Sequence, residues 1–369
     1  MLIDGSMEAK LANLSPEQRE ELLQHLGPRR SKASTLRARG ATRVPLSFAQ
    51  RNLWFMNEVE SDRHKYNMVS AYSLRGPLDR EALEHALALI VDRHQILKSR
   101  FADNGDDPVQ ELIPGFALAV PLVDLTEAEP AERESRLHEL LAAEGRHTFD
   151  LKTGPLFRVH LYRLSPNEHV LQLNVHHAIF DGWSKGLLFR ELEAAYSAYR
   201  RGVAPELPAL RLQFGDFATW QRESMDRHIE DQLRYWRDRL SGAPALLNLP
   251  TDFQRPPARS SEADVVRMFF ESDLLEKLRG LALRCGSTLF MTMLAAFALL
   301  LRRCTGQDDI CVASPVDNRS HGELRNLIGY FLNTVVLRTR FQSGMTVRDL
   351  VRDVRETTLA AFQNQDAPF

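Results

Sequence analysis

Cysteine is scarce. The 369 residues hold only Cys285, Cys304 and Cys311, an odd number without metal-ligand spacing, which argues against a disulfide framework and against a zinc cluster. The three read as reduced core thiols of a cytoplasmic protein. Excess charge is also lacking: 47 Lys and Arg face 49 Asp and Glu for a formal net charge of -2, leaving no electrostatic case for nucleic acid or an anionic membrane as partner. No apolar run reaches membrane-spanning length. The longest, Leu289 to Leu301, is interrupted by Thr292 and reads as a buried helix. The first fifteen residues show no signal-peptide pattern. Nucleotide motifs are absent too: there is no Gly-x-x-x-x-Gly-Lys-Ser/Thr loop and no strand-linked Gly-x-Gly-x-x-Gly. A Gly-x-Ser-x-Gly nucleophile turn is likewise missing.

What is present is an ordinary globular composition, 44% hydrophobic and 26% charged, on a chain long for a single core. Residues 1–45 stand apart. Ser15-Pro16-Glu17-Gln18 has the form of a capping box with a first-turn proline, Leu22, Leu23 and Leu26 form a stripe, and Gly27-Pro28 ends the helix. Arg29 to Pro45 is basic and aperiodic and reads as a linker. From Leu46 onward strands alternate with amphipathic helices, predicting an α/β or α+β sandwich cut into residues 46–222 and 223–369. Helices are expected around 83–97, 137–141, 231–240, 274–285, 288–304 and 347–363, and strands around 159–164, 310–315 and 334–341.

The chemistry concentrates at His176 and His177. Leu171, Leu173 and Val175 alternate with polar residues as in a half-buried strand, Asp181-Gly182 signals a turn, and Ser184 can cap a helix bearing Leu188, Leu192, Tyr196 and Tyr199. Neighbours on a strand diverge, so the two imidazoles face opposite sides. One can then serve as general base while the other supports the backbone. A purely structural, hydrogen-bonded pair fits the same spacing. A metal site needs a third ligand that the surroundings do not supply, and none is expected.

His176-His177-x-x-x-Asp181-Gly182-Trp183-Ser184 resembles the active-site motif of the condensation domains of nonribosomal peptide synthetases. Five further stretches, in family order, carry the resemblance to the end of the chain. Ser47 to Phe55 is similar to Ser-x-Ala-Gln-x-Arg-Leu-Trp, with Asn52 where Arg is usual. Arg93 to Phe101 is similar to Arg-His-Glu-x-Leu-Arg-Thr-x-Phe, departing at Gln95, Lys98 and Ser99. Phe214 to Trp220 resembles Tyr-x-Asp-Phe-Ala-x-Trp, with Phe214 for Tyr. Ile328 to Thr334 resembles Ile-Gly-x-Phe-x-Asn-Thr, and Asn364 to Phe369 resembles His/Asn-Gln-Asp-x-Pro-Phe.

The resemblance implies two chloramphenicol-acetyltransferase-like lobes forming a V around a tunnel, with one site per chain. The implied reaction is amide formation between a donor acyl or peptidyl thioester and the amine of an acceptor aminoacyl thioester. Both substrates ride on phosphopantetheine supplied by upstream and downstream peptidyl carrier domains, so no directly bound cofactor is expected. An adenylation domain in the same chain is the further implied partner. His177 inherits the catalytic role, as general base or as electrostatic anchor of the amine and oxyanion. His176 and Asp181 inherit mainly structural roles, with Arg319 as the partner of Asp181 in a pair that bridges the lobes. Gly182 clears the amine's approach and would tolerate a turn at positive φ. Ser184 belongs to the same motif, and Asn333 would either line the tunnel or satisfy backbone groups at a strand end. Trp54, Trp183 and Trp220 are expected in the core, and the bulky Phe180 is expected to pack. The family continues past the last motif, so the second lobe is expected to be truncated, with unpartnered faces on 334–341 and 347–363, and the chain to be poorly soluble and inactive alone. Two other readings stay open: a free-standing acyltransferase using coenzyme A or one carrier thioester, and a degenerate platform that recruits partner enzymes.

Overall fold

The strand marked by Leu171, Leu173 and Val175 is central in the computed structural model of the protein, which describes residues 36–60, 62–105, 107–254 and 264–369, without the side chains of 225–228. The helix expected from Ser15 lies outside the described residues. By its internal contacts the chain divides into two units, Ala33–Asp226 with Arg319–Leu332, and Arg227–Asn318 with Asn333–Phe369. A single cut at 222/223 therefore misses one feature. The stretch 319–332, late in sequence, packs with the first unit, because Arg319 finds its carboxylate partner there.

In the first unit β7 (Glu168–His176) lies antiparallel between β2 (Asn67–Arg75) and β6 (Phe157–Ser165), and β5 (Leu122–Asp124) runs parallel to β6. One face of β7 buries Leu171, Leu173 and Val175 in a core shared with α2 (Arg80–Arg93) and α4 (Gly182–Arg200). The polar half of the alternation is not solvated. Gln172, Asn174 and His176 are each 1% exposed, the first two hydrogen-bonded to α3 (Pro130–Gly145). Gln172 Nε2 donates to Leu141 O at 2.9 Å and its Oε1 accepts from Tyr162 Oη at 2.7 Å, and Asn174 Nδ2 donates to Glu144 O at 2.6 Å, which offsets part of the cost of burying amides.

A smaller sheet pairs β4 (Val109–Leu112) with β3 (Ser99–Ala102) on one side and β1 (Arg43–Pro45) on the other. The end of the expected linker is thus a strand, and a three-residue run is too short to show periodicity. Helix α1 (Phe48–Val59) follows, with Ser47 as N-cap in a capping box with Gln50.

The second unit contains the later part of α5 (Phe214–Leu240), α6 (Ser272–Arg284), α7 (Leu289–Thr305), the paired strands β8 (Asp309–Asp317) and β9 (Leu332–Arg340), and α8 (Val347–Gln363). Its core joins Met291 and Leu294 of α7, Val335 and Leu337 of β9, and Leu350, Val351 and Val354 of α8. The faces of β9 and α8 that were expected to lack partners therefore have them. Arg338, 2% exposed, closes this core by donating to Asp309 at 2.8 Å and to the Arg239 and Ser241 carbonyls at 2.9 and 2.8 Å. Apolar exposure lies elsewhere. Helix α7 is buried on one side only, its Phe290, Phe297 and Leu300 being 46, 47 and 55% exposed. Cys304 is exposed rather than a core thiol, and Cys285 and Cys311 are half-buried. Among the described residues no single helix is long and apolar enough to cross a membrane.

Candidate active site

Strand β7 ends at His176, and His177–Ile179 form a single 3-10 turn before the chain enters α4. The two imidazoles therefore part at a strand end rather than within a pleat. His176 is 1% exposed, with ring centroids 6.0 Å from both Tyr66 and Phe149. Its Nδ1 accepts from Ala178 N at 3.1 Å, so the ring pins the turn that follows it. Burial, aided by the neighbouring His177, pushes its pKa down to about 3.

That shift predicts an acid response. Below the ordinary imidazole value near 6.5 the unfolded chain takes up a proton that the folded His176 refuses. Its contribution to stability is therefore complete above about pH 6.5 and falls toward pH 3, by up to about 1.4 kcal/mol per unit. His176→Asn keeps an acceptor for Ala178 N and removes the titration. Urea unfolding at several pH values between 4.5 and 7 should show a flatter pH dependence in the variant, and equal slopes would contradict the assignment.

His177 is half-buried, and its Nδ1 lies 2.7 Å from the Phe180 carbonyl. A carbonyl only accepts, so Nδ1 carries a hydrogen, and in the neutral ring the lone pair is on Nε2. The ring also meets Tyr330 edge-on, centroids 4.9 Å apart at 65°. Phe180 itself is 3% exposed in the core, which fits the packing role and fixes the carbonyl that holds His177.

Asp181 is fully buried and is the N-cap of α4, accepting from Ser184 N at 2.8 Å. The expected cap, Ser184, sits inside the first turn instead, and its hydroxyl lies 2.7 Å from Asp181 Oδ1. Gly182 is consequently the first helical residue, and its φ is not positive, so the backbone freedom of glycine is not used there. It is exposed, and an added Cβ would meet nothing within 4 Å. The remaining Asp181 lone pairs take Arg319 Nη1 at 2.8 Å, Arg319 Nη2 at 3.2 Å and Phe331 N at 3.2 Å. Five donors on one carboxylate leave it no room to handle a substrate proton. Arg319 also donates to Leu324 O and Leu327 O and stacks 3.9 Å over Phe331. Both members of the pair belong to the first unit, so it secures the segment 319–332 there rather than bridging lobes.

The structure thus brings His176, His177, Asp181, Gly182, Ser184 and Arg319 together in one unit. Asn333 belongs to the other unit, where its Nδ2 donates to the Gln365 and Ala367 carbonyls at 2.6 and 2.7 Å and its Oδ1 accepts from Phe369 N at 3.3 Å. It ties down the terminal motif. Trp183 is 44% exposed rather than core, with Nε1 donating to Arg325 O at 2.8 Å, whereas Trp54 and Trp220 pack on the core. Three residues have site contacts that the motifs did not foretell. Gln50, fully buried, donates to Ala178 O at 3.0 Å and so supports the His177 turn from α1. His94, paired with Glu191 at 2.9 Å, receives Ile328 N at 3.4 Å. Tyr330 is the third. Among the described residues no group of three potential metal ligands occurs.

A family model described as Condensation domain matches residues 41–369. A linear gramicidin synthase of Brevibacillus parabrevis is 41% identical over 350 residues, which is 95% of this chain and 7% of that protein. Phosphinothricin tripeptide synthetase PhsC of Streptomyces viridochromogenes is 38% identical over 368 residues, 98% of this chain and 34% of that one. The chain therefore spans only a small part of each relative's length. Among solved structures, the X-domain in complex with OxyB from teicoplanin biosynthesis matches with a TM-score of 0.81 at 30% identity, covering 91% of this chain and 74% of that chain.

Proposed function

The chain belongs to the condensation-domain family, the acyl-transferring, peptide-bond-forming modules of nonribosomal peptide synthetases, and we propose that His177 carries this chemistry here. The observation that supports the role is its fixed tautomer. With Nδ1–H held by Phe180 O at 2.7 Å, Nε2 is the nitrogen left to take a proton. The acceptor amine attacks the donor thioester carbon, Nε2 receives the proton the nitrogen sheds, and the C–S bond breaks. The departing thiolate then takes that proton, leaving an amide, a free phosphopantetheine thiol and a neutral imidazole. The imidazolium formed in between keeps its Nδ1–H on the Phe180 carbonyl. His176 holds the turn, and Asp181, Ser184 and Arg319 hold the backbone on either side of it. Both thioesters arrive on carrier domains, with an adenylation domain as source of the activated amino acid. Asn333 acts through the terminal motif that it anchors.

A second reading rests on the likeness to the X-domain solved with OxyB: a surface that recruits a partner enzyme without condensing anything. The two separate in one assay. The full-length protein is mixed with an N-acetylaminoacyl carrier and an aminoacyl carrier, and the acceptor carrier is read by intact-protein mass spectrometry. Condensation predicts a mass gain on the acceptor that requires both loaded carriers. Equal transfer from an acyl-coenzyme A would favour a free-standing acyltransferase. No transfer across a panel of aminoacyl groups, with carriers still bound, would favour recruitment.

A further inference from the structure

The backbone of Ile328–Phe331 is held by side chains far away in sequence. Ile328 N donates to His94 Nδ1 at 3.4 Å, Gly329 N to Ser184 Oγ at 3.0 Å, and Phe331 N to Asp181 Oδ2 at 3.2 Å. His94 is oriented in turn by Glu191. Gly329 has no alternative to glycine, because an added Cβ would fall inside the Phe214 ring. His94, Ser184 and Asp181 are 1% exposed or less, so none is placed to exchange a proton with a bound substrate. Their common effect is to fix four residues of chain. The side chain that this stretch sets against His177 is Tyr330.

We propose that Tyr330 is a positioning residue whose ring holds the His177 imidazole in the orientation where Nδ1–H reaches Phe180 O and Nε2 is left for the acceptor amine. This rests on the reading of His177 given above. A half-buried imidazole anchored by one hydrogen bond can still swing about its Cβ–Cγ bond. An edge-on aromatic neighbour at 4.9 Å blocks that swing. The phenol suits the task because burial, with a smaller push from Asp181, raises its pKa and keeps it neutral. The ring, not the hydroxyl, is the working part.

Two substitutions in the full-length protein test this. Tyr330→Phe keeps the ring, and Tyr330→Leu keeps an apolar side chain without it. The Leu variant should lose about tenfold in kcat, with KM for the loaded acceptor carrier within about twofold, whereas Phe should stay within about twofold in both. Nitrogen-15 NMR of the histidine rings, recorded without substrate, should show the hydrogen-bonded Nδ1–H of His177 in the parent and the Phe variant, and its loss or averaging in the Leu variant. Because the NMR reading needs no turnover, it stands even if His177 proves to have no part in condensation. A Leu variant with parental kcat and an unchanged His177 signal overturns the proposal. A Phe variant as impaired as Leu overturns it as well, since the hydroxyl would then be the working group.

Discussion

Arg319→Met should destabilise the protein by about 3–5 kcal/mol, the cost of stripping a buried charge of its partner. The side chains of Arg319 and Asp181 are 1% and 0% exposed, so neither charge has water to fall back on. After the substitution Asp181 keeps Ser184 N, Ser184 Oγ and Phe331 N, but no opposite charge. Such a loss is a large share of the roughly 5–15 kcal/mol that holds a typical domain. Asp181→Leu should cost a similar amount through the stranded guanidinium. The double variant should be less destabilised than the sum of the two, because it leaves no orphan charge. Chemical denaturation of all four proteins reads the coupling directly. Single variants within about 1 kcal/mol of the parent, adding simply, would show that the pair is not what holds 319–332 in place.

The larger effect on rate belongs to His177. General-base assistance is worth roughly 10²- to 10⁴-fold, and His177→Ala should lose that range while leaving the fold intact. The reason for expecting an intact fold is specific. The side-chain hydrogen bond that shapes the 177–179 turn is donated by Ala178 N to His176 Nδ1, and Gln50 holds Ala178 O from the other side. His177 contributes only its contact with Phe180 O and the Tyr330 ring. Removing it leaves the local backbone its other supports, so a drop in rate can be read as chemistry.

Much of this was legible in the sequence, and what was not has a common cause. Helix α8 was readable to the residue, and β6, α6 and α7 to within a few, because their signals are local: a 3.6-residue stripe, a Thr cap, a period of two. The pairing of Asp181 with Arg319 came from family resemblance and holds across 138 residues. Strand β2 has no clear local signal in the sequence. Among the described residues it pairs with β7 alone, about a hundred residues on, and although its burial alternates, a half-buried Ser70 and a 41% exposed Val69 blur the hydrophobic pattern. The start of α4 was misplaced because Asp181 and Ser184 are both good caps, and the choice between them is settled by Arg319 and Phe331, which pull on the same carboxylate. Tyr330 sits at a position that the motif leaves open, so no sequence pattern pointed to it. Its role shows only once His94, Ser184 and Asp181 are seen to converge on its neighbours.

On the proposed reading, His177 performs the proton transfer while its surroundings only hold it. Single-turnover formation of the amide on the acceptor carrier, followed by quenched-flow mass spectrometry for the parent and His177→Ala at saturating loaded carriers, tests this most directly. The expected first-order rate is at least about a hundredfold lower in the variant, with carrier affinity and thermal midpoint unchanged. A variant that forms the amide within a few-fold of the parental rate would contradict it.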